Sequence, residues 1–134
     1  MDGKEKSIIQ KLDYSLVLPS EGLKLTIGTR CYDAIMAGRK KYEVRLGYLG
    51  MEEYQAGNQI ELVAPRASCS VLLESVEKYS DMRKLVKELP WRKIVPHAES
   101  LEEAHDFLTN QHPPYKGMPD ILVFELEPIK VQIG

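Results

Sequence analysis

The chain has 134 residues, 43% of them apolar and 28% charged, with a formal net charge of −2. That is one globular domain's worth of sequence, able to bury its own core. It excludes a strongly basic nucleic-acid coat protein, and no apolar run approaches the about 18 residues of a membrane span.

Residues 1–21 read as an N-terminal extension. Ile8, Ile9, Leu12 and Leu16 follow a charged start and close at Pro19, as an amphipathic helix or a docking arm would. No signal-peptide core follows Met1. Cys31 and Cys69 lie far apart without CxxC spacing, as expected of reduced thiols. Together these features predict a cytoplasmic protein with no membrane partner.

Leu23-Lys24-Leu25-Thr26-Ile27 alternates apolar and polar residues and predicts a half-buried strand. Thr29 is placed to cap a helix over 30–37, which presents Tyr32, Ile35 and Met36 at helical spacing. Gly38 stands where a helix end needs a left-handed residue. Lys40, Lys41, Glu43 and Arg45 then bring three cations and one acid to the turn and the strand that follows it. Along that strand Tyr42 and Val44 face one way, Lys41, Glu43 and Arg45 the other. Lys40, at the turn edge, is open to either side.

Gly57-Asn58 marks a turn before a strand over 59–64, and Pro65 stops it. Residues 68–76 predict another strand, with Cys69, Val71, Leu73 and, beyond a bulge, Val76 inward. Met82, Leu85, Val86 and Leu89 form a helical stripe ending at Pro90. Leu101, Ala104, His105 and Leu108 form another, led by a capping-box pattern from Ser100 to Glu103. A loop containing Pro113, Pro114, Gly117 and Pro119 leads to the strongest strand, 121–126, expected at the centre of the sheet. About five short strands around a few helices predict a small, partly open barrel of the α+β class.

With a net charge near zero, any attraction to nucleic acid must be local, and the 38–45 segment is its candidate seat. Arg45 offers a planar fork suited to phosphate or a base edge. Lys40 offers a compact cation. Glu43 can orient it, or accept from an exocyclic amine as carboxylates do with cytosine. The bland alternative is a solvated salt-bridge ladder contributing about 0–1 kcal/mol. Trp91, Tyr115 and Tyr42 are candidates to stack a base, although lone aromatics more commonly pack. His97, His105 and His112 lack metal-ligand spacing, so neither metal nor cofactor is expected.

Gly38-x-Lys40-x-x-Glu43-x-Arg45, with Tyr32-Asp33-x-Ile35 before it and Ala56-Gly57-Asn58-Gln59-Ile60 after it, resembles the ASCH domain of the PUA-like superfamily, whose pattern is GxKxxExR. Leu89-Pro90-Trp91-Arg92-Lys93-Ile94-Val95-Pro96, Ser100 to Ala104, Pro113 and Tyr115 fit its small stand-alone prokaryotic members. The likeness runs over residues 22–128 and sets an ASCH domain at 22–130. Asn58 stands where aspartate is usual.

The resemblance implies a PUA-like β-barrel with two to four flanking helices. It also implies a cleft at the motif that binds RNA or a modified nucleoside, with no DNA expected, through Lys40, Lys41, Glu43, Arg45 and Tyr115. The bacterial N4-acetylcytidine amidohydrolases are similar and imply a second possibility, deacylation with Lys40 and Glu43 as catalytic residues. Those enzymes carry a threonine where Glu43 stands here, and a downstream glutamate to which Glu99, Glu102 or Glu103 could correspond. A third possibility is a small protein–protein adaptor with a vestigial cleft.

Overall fold

The computed structural model describes residues 23–48 and 51–129; the 1–21 extension lies outside them. Five strands form one sheet: β1 (Lys24–Thr26), β2 (Tyr42–Leu46), β3 (Gln59–Ala64), β4 (Ala67–Tyr79) and β5 (Ile121–Pro128). The order is β1-β3-β4-β5-β2, with β1 parallel to β3 and the other neighbours antiparallel. Three α-helices accompany it: α1 (Thr29–Met36), α2 (Met82–Glu88) and α3 (Leu101–Gln111). β1 and β2 are the two ends of the order, yet Nη2 of Arg45 on β2 donates to the Thr26 carbonyl on β1 at 2.7 Å. The sheet is therefore curled until its edges nearly meet, an α+β half-barrel as predicted.

β5 has an uninterrupted apolar run because it is buried on both faces. Ile121 and Val123 join a cluster with Leu85, Val86, Ala104 and Leu108 of the helices, whereas Leu122, Phe124 and Leu126 join Leu25, Ile60, Leu62 and Val71 inside the curl. That is the strand period of two read onto two cores. The expectation of a central strand holds in part: β5 is interior, but the middle place belongs to β4.

β4 is longer than the predicted 68–76. Glu77, Lys78 and Tyr79 continue it because they pair with Val123, Leu122 and Ile121. The register shifts between Leu73 and Ser75. This bulge lets Val71, Leu73 and Val76 all face the inner core, while Tyr79 reaches the outer one.

The ends of α1 and α3 differ in how well the sequence announces them. Gly38 takes φ +79°, Gly38 N–H donates to Ile35 O and Arg39 N–H to Ala34 O, a Schellman closure. At the other end, Gly28 rather than Thr29 is the N-cap, and no side chain caps it. Thr29 is already helical, because the first turn closes from Tyr32 N–H to Gly28 O. On α3, Ser100 Oγ accepts from Glu103 N–H at 3.0 Å, and the Glu103 carboxylate reaches back to the N–H of Glu99.

Candidate functional site in the cleft beneath helix α1

The Schellman turn does more than end α1. It folds the chain back so that Lys40 N–H also donates to Ala34 O, placing the Lys40 side chain under the helix before β2 begins. There it is 6% exposed, the buried charged residue of the described chain. Its ammonium donates to the carbonyls of Tyr42 at 2.7 Å and Ile94 at 2.6 Å, and lies 3.3 Å from Glu43 Oε1. All three donors of an ammonium are thereby occupied.

Glu43 and Arg45 share a face of β2, two residues apart. The second Glu43 oxygen accepts from Arg45 Nε at 2.9 Å and lies 2.8 Å from Nη2, the same nitrogen that reaches Thr26. Lys40, Glu43 and Arg45 thus form one continuous chain from the Ile94 loop to the edge of β1. The bland reading of these charges as a solvated ladder does not survive: Glu43 is 13% exposed and Lys40 6%.

This chain forms the floor of a cleft of about 530 Å³. One wall is α1 and its approach, with Gly28, Arg30, Cys31 and Ala34. The other is the 94–97 loop and the end of α3, where Phe107, Gln111 and His112 face inward. Among the described lining residues, Glu43 is the sole carboxylate, set against Arg30, Arg39, Lys40 and Arg45.

Two residues predicted for the site are not part of the cleft lining. Lys41 turns to the opposite side of the sheet, 3.0 Å from Glu74, 3.2 Å from Glu127 and 3.7 Å from Glu125. The hydrogen bond with Glu74 dominates the environment that raises its pKa. The parity expected to set Lys41 beside Glu43 fails because Lys41 precedes β2: its N–H donates to Lys93 O and its carbonyl accepts from Leu126 N–H, and its side chain goes to the acids of β4 and β5. Tyr115 is half exposed in the loop between α3 and β5, its hydroxyl 2.9 Å from that of Tyr48.

Trp91 and Tyr42 pack against the outer core, and the Arg92 guanidinium lies 4.4 Å over the Trp91 ring. Glu99, Glu102 and Glu103 are absent from the described cleft lining; Glu102 is engaged by Arg83, and Glu103 closes the α3 cap. Glu102, His105 and Asp106 cluster on the exposed side of α3, but the Arg83 cation already occupies Glu102.

The cleft also contains groups that sequence patterns did not single out for ligand contact: Arg30, Arg39, Gln111, His97 and His112. Arg30 and Arg39 had a faint signal, as cations at the two ends of a helix already under suspicion. The histidines had none, because they come from segments far from the motif. Burial lowers the pKa of His112, with Arg45 acting in the same direction, against the charge of Glu43 and a backbone contact with Val44. His97, edge-on to Phe107, is lowered by burial and then by Arg30.

The lowered pKa of His112 has a measurable consequence. As pH falls through the ordinary value of 6.5, the unfolded chain binds this proton more readily than the fold does, so stability falls as pH falls. Between about pH 7.5 and about pH 5.5, the thermal midpoint of His112→Gln should drop less than that of the wild type. Equal drops would assign the acid sensitivity elsewhere.

No protein-family model and no curated protein matches the sequence. Solved structures do match. The hypothetical protein PH0355 aligns over 80% of this chain and 100% of its own, at 20% identity and TM-score 0.67. Protein PF0455 from Pyrococcus furiosus aligns over 81% and 98%, at 18% identity and TM-score 0.63. A mutant form of ZmASCH from Zymomonas mobilis aligns over 84% and 75%, at 18% identity and TM-score 0.56.

The likeness at these identities is one of fold: a small α+β, PUA-like barrel. Within that class, the chain shares its fold with ZmASCH. Among the described residues, no helix is long and apolar enough to cross a membrane.

Proposed function

We propose that this ASCH module, the 22–130 unit of the chain, binds RNA or a modified nucleoside in the cleft above Lys40, Glu43 and Arg45. The observation that carries the reading is the charge of the cleft. In a chain of net charge −2, its described lining sets four cations against one carboxylate, and the cavity is open rather than filled. At about 530 Å³ it lies within the range of small-molecule sites. The open cavity disfavours the adaptor. Arg92 and Lys93 are not part of this groove: Arg92 covers Trp91, and Lys93 Nζ donates to Gly38 O. Recognition therefore rests on the cleft itself, with Lys41 and Tyr115 outside it.

The second reading, deacylation of an N4-acetylcytidine-type nucleoside, draws on the contact between Lys40 and Glu43 at 3.3 Å. Against it, Glu43 replaces the threonine of the similar hydrolases, and the described lining offers no second carboxylate. The Lys40 ammonium is also fully occupied as a donor. Binding without turnover is the outcome this geometry favours.

The test is incubation with a panel of nucleosides, N4-acetylcytidine included, and with short single-stranded RNA, followed by chromatography for retention and for product. Wild-type protein should retain at least one of them at low salt, and Arg45→Ala should retain less than Glu99→Ala or Asp106→Ala on the acidic helix. No retention of any member would reject the binding reading. Release of acetate from N4-acetylcytidine would put the hydrolase in its place.

A further inference from the structure

The cations of the cleft are not equivalent. Lys40 and Arg45 are tied to Glu43 and to backbone carbonyls. Arg30 and Arg39 also line the cleft, and neither guanidinium has a hydrogen bond or an ion pair among the described residues. They occupy opposite ends of the same wall, Arg30 in the first turn of α1 and Arg39 just beyond its Schellman turn. At about 1.5 Å of rise per residue, the eight residues of α1 span about 12 Å. Between the two arginines that wall presents Cys31 and Ala34, and the room this leaves lies over the Lys40–Glu43–Arg45 floor.

Two arginines rooted at the two ends of α1, both lining one cavity, ask for a ligand with two separated anionic groups. Guanidinium forks match phosphate oxygens in shape and charge. Each phosphate of a stacked strand adds about 3.4 Å of rise along the strand axis, and more where a base is splayed out. A span of about 12 Å therefore covers more than one phosphate. A free nucleoside has no charge to meet either arginine, and a mononucleotide can meet only one.

We propose that the cleft takes a single strand of RNA running along α1, with one phosphate held by Arg30, another by Arg39, and the intervening nucleotide over the Lys40–Glu43–Arg45 floor. This rests on the reading of the cleft as an RNA or nucleoside site and selects the polyanionic strand over the free nucleoside. The helix start adds to it without carrying it: Gly28 leaves the first N–H groups of α1 without a side-chain cap beside Arg30.

The test compares cytidine, cytidine 5′-monophosphate and the trinucleoside diphosphate CpCpC by equilibrium titration at low salt. Affinity should rise about fivefold with each phosphate, the worth of a partly exposed charge pair. Arg30→Ala and Arg39→Ala should each remove one such step from CpCpC and lower the affinity for cytidine by less than that step. The double variant should bind CpCpC no better than cytidine. The logarithmic salt slope for CpCpC should be about −1.4 in the wild type and about −0.7 in each single variant. Both side chains are exposed, so the variants keep the fold.

Cytidine binding with no gain for CpCpC would overturn the phosphate poles and leave the nucleoside site standing. A gain for CpCpC that survives both substitutions would also overturn them. If none of the three binds, the proposal falls together with the reading beneath it.

Discussion

Replacing Lys40 with alanine should lower the unfolding free energy by about 3–5 kcal/mol, the cost of breaking a buried charged network by removing one partner. The Lys40 side chain contributes no ordinary surface charge. It is a strut whose ammonium joins the Tyr42 carbonyl, the Ile94 carbonyl and the Glu43 carboxylate at one point. Its removal leaves two carbonyls without their partner, a carboxylate held by Arg45 alone, and an unfilled space under α1. Lys40→Met refills most of that space and should recover part of the loss, measured by urea unfolding. A loss below about 1 kcal/mol for Lys40→Ala would mean that water replaces the ammonium freely and that the strut is dispensable. The consequence for chemistry is direct. Lost activity in Lys40→Ala, taken alone, does not assign a catalytic role, because the same substitution weakens the floor of the cleft.

Glu43→Gln should cost about 2–3 kcal/mol, as a hydrogen-bonded charge in a mostly buried setting does. The carboxylate serves two cations at once, Lys40 through one oxygen and Arg45 through the other. An amide keeps one acceptor and turns its NH₂ group toward the remaining cation. The Arg45 arm is then freed to leave the Thr26 carbonyl, loosening the seam between the first and last strands of the sheet order. Lys40 and Glu43 are in contact, so the double variant Lys40→Met with Glu43→Gln should lose less than the two single losses added, by about 1–2 kcal/mol. Additivity within about 0.3 kcal/mol would show that the 3.3 Å contact carries no coupling and that each residue acts on its backbone partners alone.

Much of the frame was legible in the residues. The run Ile121 to Leu126 announced the strongest strand, and the fold buries it on both faces because a period of two distributes its side chains between two cores. Gly38 announced a left-handed helix end, and Ser100 with Glu103 announced the start of α3; both are local devices whose partners lie within five residues. Val76 falls inside the curl because the bulge resets the alternation, as the pattern suggested. The start of α1 was misplaced by one residue. A threonine looked like a better cap than a glycine, but the backbone bond from Tyr32 to Gly28 decided the matter.

The sequence by itself determined the period of the strands, the helix ends, and a motif that brings Lys40, Glu43 and Arg45 to one turn and one strand face. Each of these depends on interactions over a few residues, where backbone sterics and side-chain parity leave little choice. The tertiary structure decided which of the adjacent Lys40 and Lys41 enters the cleft. Lys40 does so because the Ile94 carbonyl, 54 residues away, waits for its ammonium, while Glu74 and Glu127 draw Lys41 to the other side. It also decided that Arg45 joins β2 to β1, and that His97 and His112 face the motif from another part of the chain. Buried polar groups must find partners wherever the fold supplies them, and no local pattern states where a distant carbonyl or carboxylate will lie.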